Sequence, residues 1–386
     1  MTKPDPIPWR VVTAAMAGLL ATIGLARFAY APLLPALIAQ GWFTPGTAAY
    51  LGAANLLGYL GGALAARATA RRFGARAVLR GAMLLAAVSL LACSVAMPFT
   101  WFFAWRLVSG LMGGLVMILG PSAALGLVPP ARRGLAGGVI VTGVGLGIAV
   151  SGTLVPVLIR WGLTQAWLGL AVASLLLTAF AWNGWPAIAA PAVTGSSARQ
   201  FRTVCLSYGL CAFGISPHMV FLVDYVARGL GRGLDAGSLA WVAFGIGAVC
   251  GPTLSGRLVD RFGPERAFRT VFAIEVTAVA LLLVPANGAV LALSALMGGT
   301  VVSGITAAML GRVGLRAGAD PAARQSGWTH ATVAWAIGQA AGTYGMAWLY
   351  GRTGYPALFA AALIALAGAA VMELAIASRR VVPAPQ

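Results

Sequence analysis

Apolar runs of about twenty residues recur along the whole chain, and short segments holding most of the charged side chains separate them. A helix of this length crosses the hydrocarbon core of a bilayer. The pattern therefore predicts an all-α membrane protein with twelve transmembrane helices. The predicted spans, in chain order, are 11–37, 47–66, 77–97, 100–127, 134–158, 165–183, 203–226, 236–258, 266–285, 288–311, 325–349 and 355–377.

The composition indicates that a bilayer is the solvent of this chain. Of 386 residues, 60% are hydrophobic and 9% are charged, whereas a soluble domain carries about 25% charged residues. The first run is too long for a cleavable signal peptide, and Arg27 interrupts it. The four cysteines lie in apolar runs without the spacing of metal ligands, so we expect reduced core residues and no metal.

The positive charges are distributed asymmetrically along the chain. If the N-terminus is cytoplasmic, 20 of the 26 lysine and arginine residues fall in cytoplasmic segments and four fall in the opposite loops. Such a bias is the usual orientation signal of a membrane protein. It predicts an inner-membrane protein with both termini in the cytoplasm, and it explains the net charge of +18 without a nucleic-acid partner.

Two pairs of segments repeat near the midpoint of the chain. Residues 109–128 resemble residues 294–313 at an offset of 185, and "RFGARAVLR" resembles "RFGPERAFR" at an offset of 189. A duplication predicts two six-helix bundles, residues 1–183 and 203–386, joined by a cytoplasmic linker at 184–202. Parallel repeats of this kind place a substrate site near the membrane midplane, between the halves.

These features resemble the major facilitator superfamily (MFS). The segment "GRLVDRFGPER" is similar to its G-x-x-x-D-R-x-G-x-x-R loop between helices 8 and 9. The resemblance implies a cytoplasmic gate in which Asp260 pairs with arginines. The motif residues are Gly256, Asp260, Arg261, Gly263 and Arg266. The first-half counterpart departs from the motif, because Arg67 and Arg71 replace its glycine and aspartate.

Three further stretches carry the resemblance. "RLVSGLMGG", beginning at Arg106, resembles the helix-4 motif, which implies a role for that arginine in substrate or proton coupling. The glycines of helix 5 keep the spacing of the antiporter motif, but Ile148 replaces its proline, so we interpret them as packing contacts. "GLARFAYAPLLP" and "AIGQAAG" are similar to the YbfB/YjiJ branch of the superfamily.

Arg27 is the leading candidate for a functional residue. An ionisable group inside a span usually faces the bundle interior and marks a site. The planar guanidinium suits a carboxylate or a phosphate, and Tyr30 shares its helix face at 100° per residue. We expect Arg27 to bind an anionic group or to couple to an acid. The alternative is a structural arginine satisfied by carbonyl groups of helix 5.

Three other spans carry titratable candidates. His218, on a helix 7 face with Phe221, could bind a proton or be a neutral core histidine. Asp224 could carry a proton, although pairing with Arg228 four residues later is favoured slightly. Glu275 lies in the middle of helix 9 and is a minor proton-site candidate, the alternative being an inward packing role.

Helix 11 carries one stripe of aromatic and polar side chains that includes Trp335 and Gln339. Two indoles and an amide on one line suit a mixed aromatic and polar ligand, although the same stripe could simply pack. His330 lies on the opposite side of this helix, so we interpret it as structural.

The chain contains no phosphate loop, metal-ligand cluster or nucleophile elbow, so the sequence predicts neither an enzyme nor a cofactor. It predicts a monomeric secondary transporter that moves a small organic anion or an amphipathic aromatic compound by rocking of its halves, coupled to protons. A polyspecific drug exporter is the first alternative, although the shortage of buried acids disfavours cationic drugs. A non-transporting receptor or scaffold is the second.

Overall fold

The computed structural model describes residues 7–129, 133–186, 198–284, 287–318 and 320–378. Its regular elements are helical throughout these ranges. The predicted linker falls largely at 187–197, outside the described residues. The first half of the described chain forms these helices: α1 (Trp9–Ala39), α2 (Pro45–Phe73), α3 (Ala75–Ala92), α4 (Phe99–Leu125), α5 (Arg133–Ile159) and α6 (Leu163–Ala181).

The second half begins with an interrupted helix, α7, made of Arg202–Gly214, Ser216–Val220, Leu222–Asp224 and the π-helical Tyr225–Gly229. Continuous helices follow it: α8 (Gly233–Phe262), α9 (Pro264–Ala280), α10 (Gly288–Ala317), α11 (Pro321–Thr353) and α12 (Tyr355–Ser378). The starts of α2 and α10 are capped by the Thr44 and Asn287 side chains, which accept bonds from backbone N–H groups three residues later.

In the described part of the chain, nine helices are long and apolar enough to cross a membrane. They are α1 to α6, α8, α10 and α12. Large apolar side chains cover the outside of the molecule, as Ile364, Val371 and Leu374 do on α12. A surface of this kind belongs in lipid, because water would not solvate it. The protein is therefore an all-α, multi-pass membrane protein.

The two repeated RFG segments adopt the same local structure. α2 ends at Phe73 and α8 ends at Phe262, and the following glycines, Gly74 and Gly263, have φ values of 79° and 78°. Glycine adopts this left-handed region without the steric cost of a Cβ. The next helix starts one residue later in both halves, so the duplicated sequence codes for duplicated turns. We refer to this end of the molecule as the arginine-rich end.

Glycine contacts between neighbouring helices also repeat. A Cβ on Gly58 of α2 would overlap the carbonyl oxygen of Leu107 on α4, and one on Gly247 of α8 would overlap that of Leu296 on α10. Both partners of the second pair lie 189 residues after those of the first. The sequence match between 109–128 and 294–313 has an offset of 185 residues, whereas the equivalent packing contacts are 189 residues apart. The two offsets therefore differ by about one helical turn.

The halves of the chain meet along two helix pairs. Between α5 and α8, the Trp241 indole donates to the Ser151 hydroxyl at 3.0 Å. A Cβ on Gly145 would lie 2.6 Å from the backbone nitrogen of Val249. Between α2 and α11, the Arg67 guanidinium donates to the Thr329 hydroxyl at 2.6 Å. The Tyr30–Ala39 part of α1 also contacts α7 and α8. Residues of α1, α4, α7 and α10 line a space between the halves.

Candidate functional site

The backbone is irregular in the first helix of each half. In α1, Leu20–Phe28 is π-helical, and in α7 the helix breaks at Ile215 and Phe221 before a second π-helical stretch. Interrupted helices at corresponding positions of two halves point to a binding site, and π-helical turns are frequent at functional sites. The wider turn also alters the face predicted at 100° per residue, so Phe28 lines the same cavity as Arg27.

Arg27 lies at the junction of the two halves. Its guanidinium donates to the Gln339 side-chain oxygen on α11, and its Cζ atom lies 5.0 Å from the Phe28 ring centre and 5.1 Å from that of Tyr59. This hydrogen bond joins α1 to the opposite half. The structural alternative predicted instead that Arg27 would donate to carbonyl groups of helix 5. Helix 5 instead packs against Gly24 of α1, where a Cβ would lie 2.6 Å from the Gly147 Cα. This contact confirms the interpretation of Gly147 as a packing residue of helix 5.

Arg106 is a second buried guanidinium beside the same cavity. It is 2% exposed, donates to the Ala26 carbonyl at 2.6 Å, and lies 4.5 Å from the centre of the Tyr30 ring. The Asn55 amide on α2 donates to the Arg106 carbonyl at 3.2 Å and holds this turn of α4. Arg106 Nε has no hydrogen-bond partner among the described residues. A buried donor without a partner is costly, so this nitrogen is available to a ligand.

The charge of the two arginines is not balanced by nearby acids. Every ion pair among the described residues involves Arg228, Arg312 or Arg316. Arg27 and Arg106 line one cavity together, with Tyr30 and Met219. Two guanidinium groups removed from water without a carboxylate are strongly unfavourable on their own. The cavity is therefore electrostatically suited to an anion.

A second space continues from Arg27 toward the arginine-rich end. Its walls are mainly aromatic and sulfur side chains with a few hydroxyl groups: Tyr59, Met117, Tyr208, Met219, Thr306, Trp328, Thr332 and Trp335. Tyr208 and Trp335 pack with ring centres 4.6 Å apart, and the Tyr208 hydroxyl lies 3.1 Å from that of Thr306. Apolar walls with a few polar groups are typical of small-molecule sites. Tyr59 and Tyr208 were not anticipated from the sequence.

The polar stripe of α11 divides between lining and packing. Trp328, Thr332 and Trp335 line the cavity, and Gln339 bonds to Arg27 while its Nε2 donates to the Met219 sulfur at 2.6 Å. One turn further on, a Cβ at Gly342 would lie 2.5 Å from the Ser216 hydroxyl oxygen. The stripe thus faces α7 and the cavity together.

His218 and Phe221 lie away from the lining of this cavity. His218 is fully buried, with Nε2 at 2.9 Å from the Ser294 hydroxyl, which donates its own proton to the Ala278 carbonyl at 2.7 Å. Because a hydroxyl has one proton, Nε2 carries the imidazole proton and donates to Ser294. The Phe221 ring packs against Tyr350, with centres 5.1 Å apart. The geometry is that of a neutral core histidine and a core phenylalanine.

Asp224 forms a closed cluster within the second half. Its Oδ2 accepts from the hydroxyls of Tyr350 at 2.8 Å and Tyr355 at 2.7 Å. Its Oδ1 lies 3.3 Å from Arg228 Nε, which is the pairing that the four-residue spacing favours. The cluster therefore joins α7 to Tyr350 of α11 and Tyr355 of α12.

The gate motif lies at the arginine-rich end, where Asp260, Arg261 and Arg266 are exposed. Within the described ranges, no ion pair involves Asp260. The latch that the resemblance implies is therefore absent from this conformation of the described residues. A Cβ on Gly256 would meet no described atom within 4 Å, whereas Gly263 supplies the left-handed turn described above.

The buried ion pairs of this end instead form a cluster that the sequence analysis did not single out. We call Glu265, Arg312, Arg316 and Glu373 the C-terminal ion cluster. Arg312 is fully buried and donates to Glu265 Oε2 at 2.7 Å and to Glu373 Oε2 at 2.9 Å, while Arg316 donates to Glu265 Oε1 at 2.6 Å. Glu373 lies inside the last predicted span, and an ionisable residue there was the available signal.

Glu265 precedes the predicted ninth span, which begins at 266. Burial acts to raise the pKa of its carboxyl, but the bonds and charges of Arg312 and Arg316 outweigh burial and hold the pKa at about 2. Glu265 is therefore ionised throughout the physiological range. It fixes the first turn of α9 to α10.

Family comparison identifies the class of protein. The family described as uncharacterised MFS-type transporter YbfB matches residues 19–377. The chain belongs to this family. No curated protein matches the chain.

Membership of the YbfB family identifies the protein as an MFS-type membrane transporter and not an enzyme. The match begins within α1 and ends within α12, so it includes both interrupted helices and all the residues that line the cavity. It confirms the resemblance drawn from "GLARFAYAPLLP" and "AIGQAAG".

Proposed function

We propose that this YbfB-family transporter moves small organic carboxylates across the inner membrane. The observation that carries the proposal is the pair Arg27 and Arg106 on one cavity, with no acid paired to either among the described residues. The aromatic walls beside Arg27 favour a carboxylate with an apolar or aromatic body. A cationic drug would meet two like charges there, which disfavours the exporter alternative.

The architecture that we propose has twelve spans in two six-helix bundles, residues 1–183 and 203–386. Three helices, α7, α9 and α11, are not among the nine that are long and apolar enough to cross a membrane, and each differs from those nine in a specific way. α7 is broken into short segments, α9 has 17 residues, and α11 carries the polar stripe. The positive-charge bias places the arginine-rich end, both termini and the linker in the cytoplasm.

Alternating access follows from this arrangement. Arg27–Gln339 and Arg67–Thr329 are hydrogen bonds between the proposed bundles, one at the cavity and one nearer the arginine-rich end. We propose that rocking of one bundle against the other breaks and remakes these bonds around the bound anion. Protons are the proposed driving ion.

The test is ligand-dependent thermal stabilisation of the detergent-purified protein. 4-Hydroxybenzoate and its neutral amide, 4-hydroxybenzamide, form a matched pair, and acetate supplies the charge alone. Binding to the folded state raises the melting temperature. We expect 4-hydroxybenzoate to stabilise the wild type more than acetate does, and the amide to have no effect. Arg27→Gln should lose the response while melting cooperatively.

Equal stabilisation by acid and amide, or a full response of Arg27→Gln to the acid, would overturn the anion proposal. Stabilisation by several unrelated lipophilic cations that survives Arg27→Gln would support the exporter instead.

A further inference from the structure

The structure distinguishes the three proton-site candidates by their hydrogen-bond partners. Asp224 has two tyrosine hydroxyls and an arginine around its carboxylate. His218 donates to Ser294, and its ring lies against Gly298 on α10. Glu275 on α9 differs from both, because it is fully buried and its carboxylate has no hydroxyl, amide or charged partner among the described residues, where only the Cys211 thiol faces it.

An unpartnered carboxylate at such a position cannot remain ionised at reasonable cost. Glu275 lies eleven residues after Pro264, the first residue of α9, which is about 16 Å along the helix axis. In this conformation the side chain is therefore the neutral acid. Its one polar neighbour is the Cys211 thiol, a weak hydrogen-bonding group, so no charged partner fixes the protonation state of Glu275 and a change in its surroundings can release the proton.

Polar side chains lead from Glu275 toward the C-terminal ion cluster. The Cys211 thiol of α7 faces Glu275 and also lies in the field of Glu373 and Arg312. Ser207 lies four residues before Cys211, on the same face of α7, and its hydroxyl donates to Glu373 Oε1 at 2.7 Å. The route therefore runs from the buried acid to the arginine-rich end.

The groups that face Glu275 come from the helices packed against α9. α7 contributes Cys211, which interacts with the acid directly, while Glu373 of α12 and Arg312 of α10 lie beyond it, bonded to each other. In the described part of α8, the acidic and basic side chains lie in the first turn and in the last two turns, and Cys250 is exposed. Arg312 is thus the nearest positive charge on this route.

We propose that Glu275 carries the coupling proton of this transporter, at a site within the C-terminal half and separate from the substrate cavity. The inference rests on the proposed transport of carboxylates. In the proton step the O–H bond of Glu275 breaks, the proton passes to water at the arginine-rich end, and the electron pair stays on the carboxylate. Protonation from the other side of the membrane restores the neutral acid.

α7 provides the mechanical link between the two sites. Cys211, in its first segment, faces Glu275, and Met219, beyond the break at Ile215, accepts a hydrogen bond from Gln339. Gln339 in turn holds Arg27. A shift of α7 as Glu275 ionises would therefore alter the contacts of the anion site, and anion binding would alter those of the acid.

The first experiment measures the proton on Glu275 without any substrate. Dicyclohexylcarbodiimide reacts with protonated carboxyls in apolar surroundings, and the adduct can be located by mass spectrometry. We expect an adduct at Glu275 in the purified protein at pH 7, and none at Glu373, whose two oxygens accept hydrogen bonds from Arg312. Absence of an adduct at Glu275, or equal labelling of Glu373, would overturn the assignment.

The second experiment separates coupling from transport in proteoliposomes, with radiolabelled 4-hydroxybenzoate as the probe and protein-free vesicles as the background. An inward proton gradient should make the wild type accumulate the probe several-fold above equilibrium. Glu275→Gln, which mimics the neutral acid, should retain exchange within about twofold and lose accumulation. Asp224→Asn is the matched control and should keep accumulation.

Accumulation by Glu275→Gln at the wild-type level would overturn the proton-site inference while leaving carboxylate transport in place. Absence of any exchange by the wild type would instead contradict the proposed function for this probe, and the carbodiimide result would still decide whether Glu275 holds a proton. The two failures are therefore distinguishable.

Discussion

The central cavity and the C-terminal ion cluster each contain one buried and one half-buried arginine, but the surroundings of the two pairs are opposite. Arg312 and Arg316 meet two carboxylates at 2.6–2.9 Å, whereas Arg27 and Arg106 meet an amide, a carbonyl and aromatic rings. Removing one partner of a buried ion pair is strongly destabilising, whereas a buried charge without a carboxylate is unfavourable as it stands and is stabilised by an anionic ligand. The comparison separates a structural pair of arginines from a binding pair within one chain.

The largest expected effect is on folding. Arg312→Gln leaves the buried Glu373 without its cation and Glu265 with Arg316 alone, and we expect it to lower the stability by about 3–5 kcal/mol. The matched substitution Arg27→Gln removes an unbalanced charge, and we expect a change within about 1 kcal/mol. Melting temperatures in one detergent test the pair. Similar losses of stability in Arg312→Gln and Arg27→Gln would contradict the division into a structural and a binding pair of arginines.

Acid should weaken the ion cluster over a defined pH range. The folded pKa of Glu265, about 2, lies below its ordinary value of 4.5, so its stabilising effect is complete above pH 4.5 and is lost as pH falls toward 2. The full shift corresponds to roughly 3 kcal/mol, and solvent screening of this partly exposed carboxylate makes the contribution to stability smaller. The melting temperature of the wild type should fall further between pH 5 and pH 3 than that of Glu265→Gln. An equal fall of the melting temperature in the wild type and in Glu265→Gln would show that Glu265 does not cause the loss of stability in acid.

Substrate binding should depend on the second cavity arginine. Arg106→Gln removes one charged donor from the anion, and a charge-assisted hydrogen bond contributes about 1.5–3 kcal/mol. We expect the dissociation constant for 4-hydroxybenzoate to rise by roughly 10- to 100-fold. Isothermal titration of the purified variant measures it, and an unchanged constant would restrict the anion site to Arg27.

The smallest expected effect comes from a substitution that gives Arg27 a carboxylate partner within the protein. Gln339→Glu places a carboxylate at the atom that already accepts from Arg27, so the variant carries its own anion. We expect a melting temperature about 1 °C higher, from about 1 kcal/mol of added stability, together with loss of the 4-hydroxybenzoate response. A lower melting temperature with a retained response would mean that Arg27 is not the anion anchor.

Local patterns were sufficient for part of the site. Arg27 was identifiable because a charge inside an apolar run is rare, and Trp335 and Gln339 because the stripe of α11 follows helical periodicity. The face of α1 was less predictable, since the π-helical turn of Leu20–Phe28 leaves no mark in the periodicity and brings Phe28 to the cavity. The gate motif likewise named Asp260, while the buried pairs formed at Glu265, five residues later.

The sequence by itself determined the membrane class, most of the spanning segments and the location of charges that lipid would reject. These follow from the transfer of each local segment between water and hydrocarbon, which needs no knowledge of the rest of the chain. Only the tertiary structure decided which charges have partners. Arg27 meets Gln339 across 312 residues and Arg312 meets Glu373 across 61, and such pairings depend on how distant helices pack. Arg312 has carboxylate partners from other helices and Arg106 has none among the described residues. Asp224 likewise has tyrosine hydroxyl partners from other helices, which Glu275 lacks.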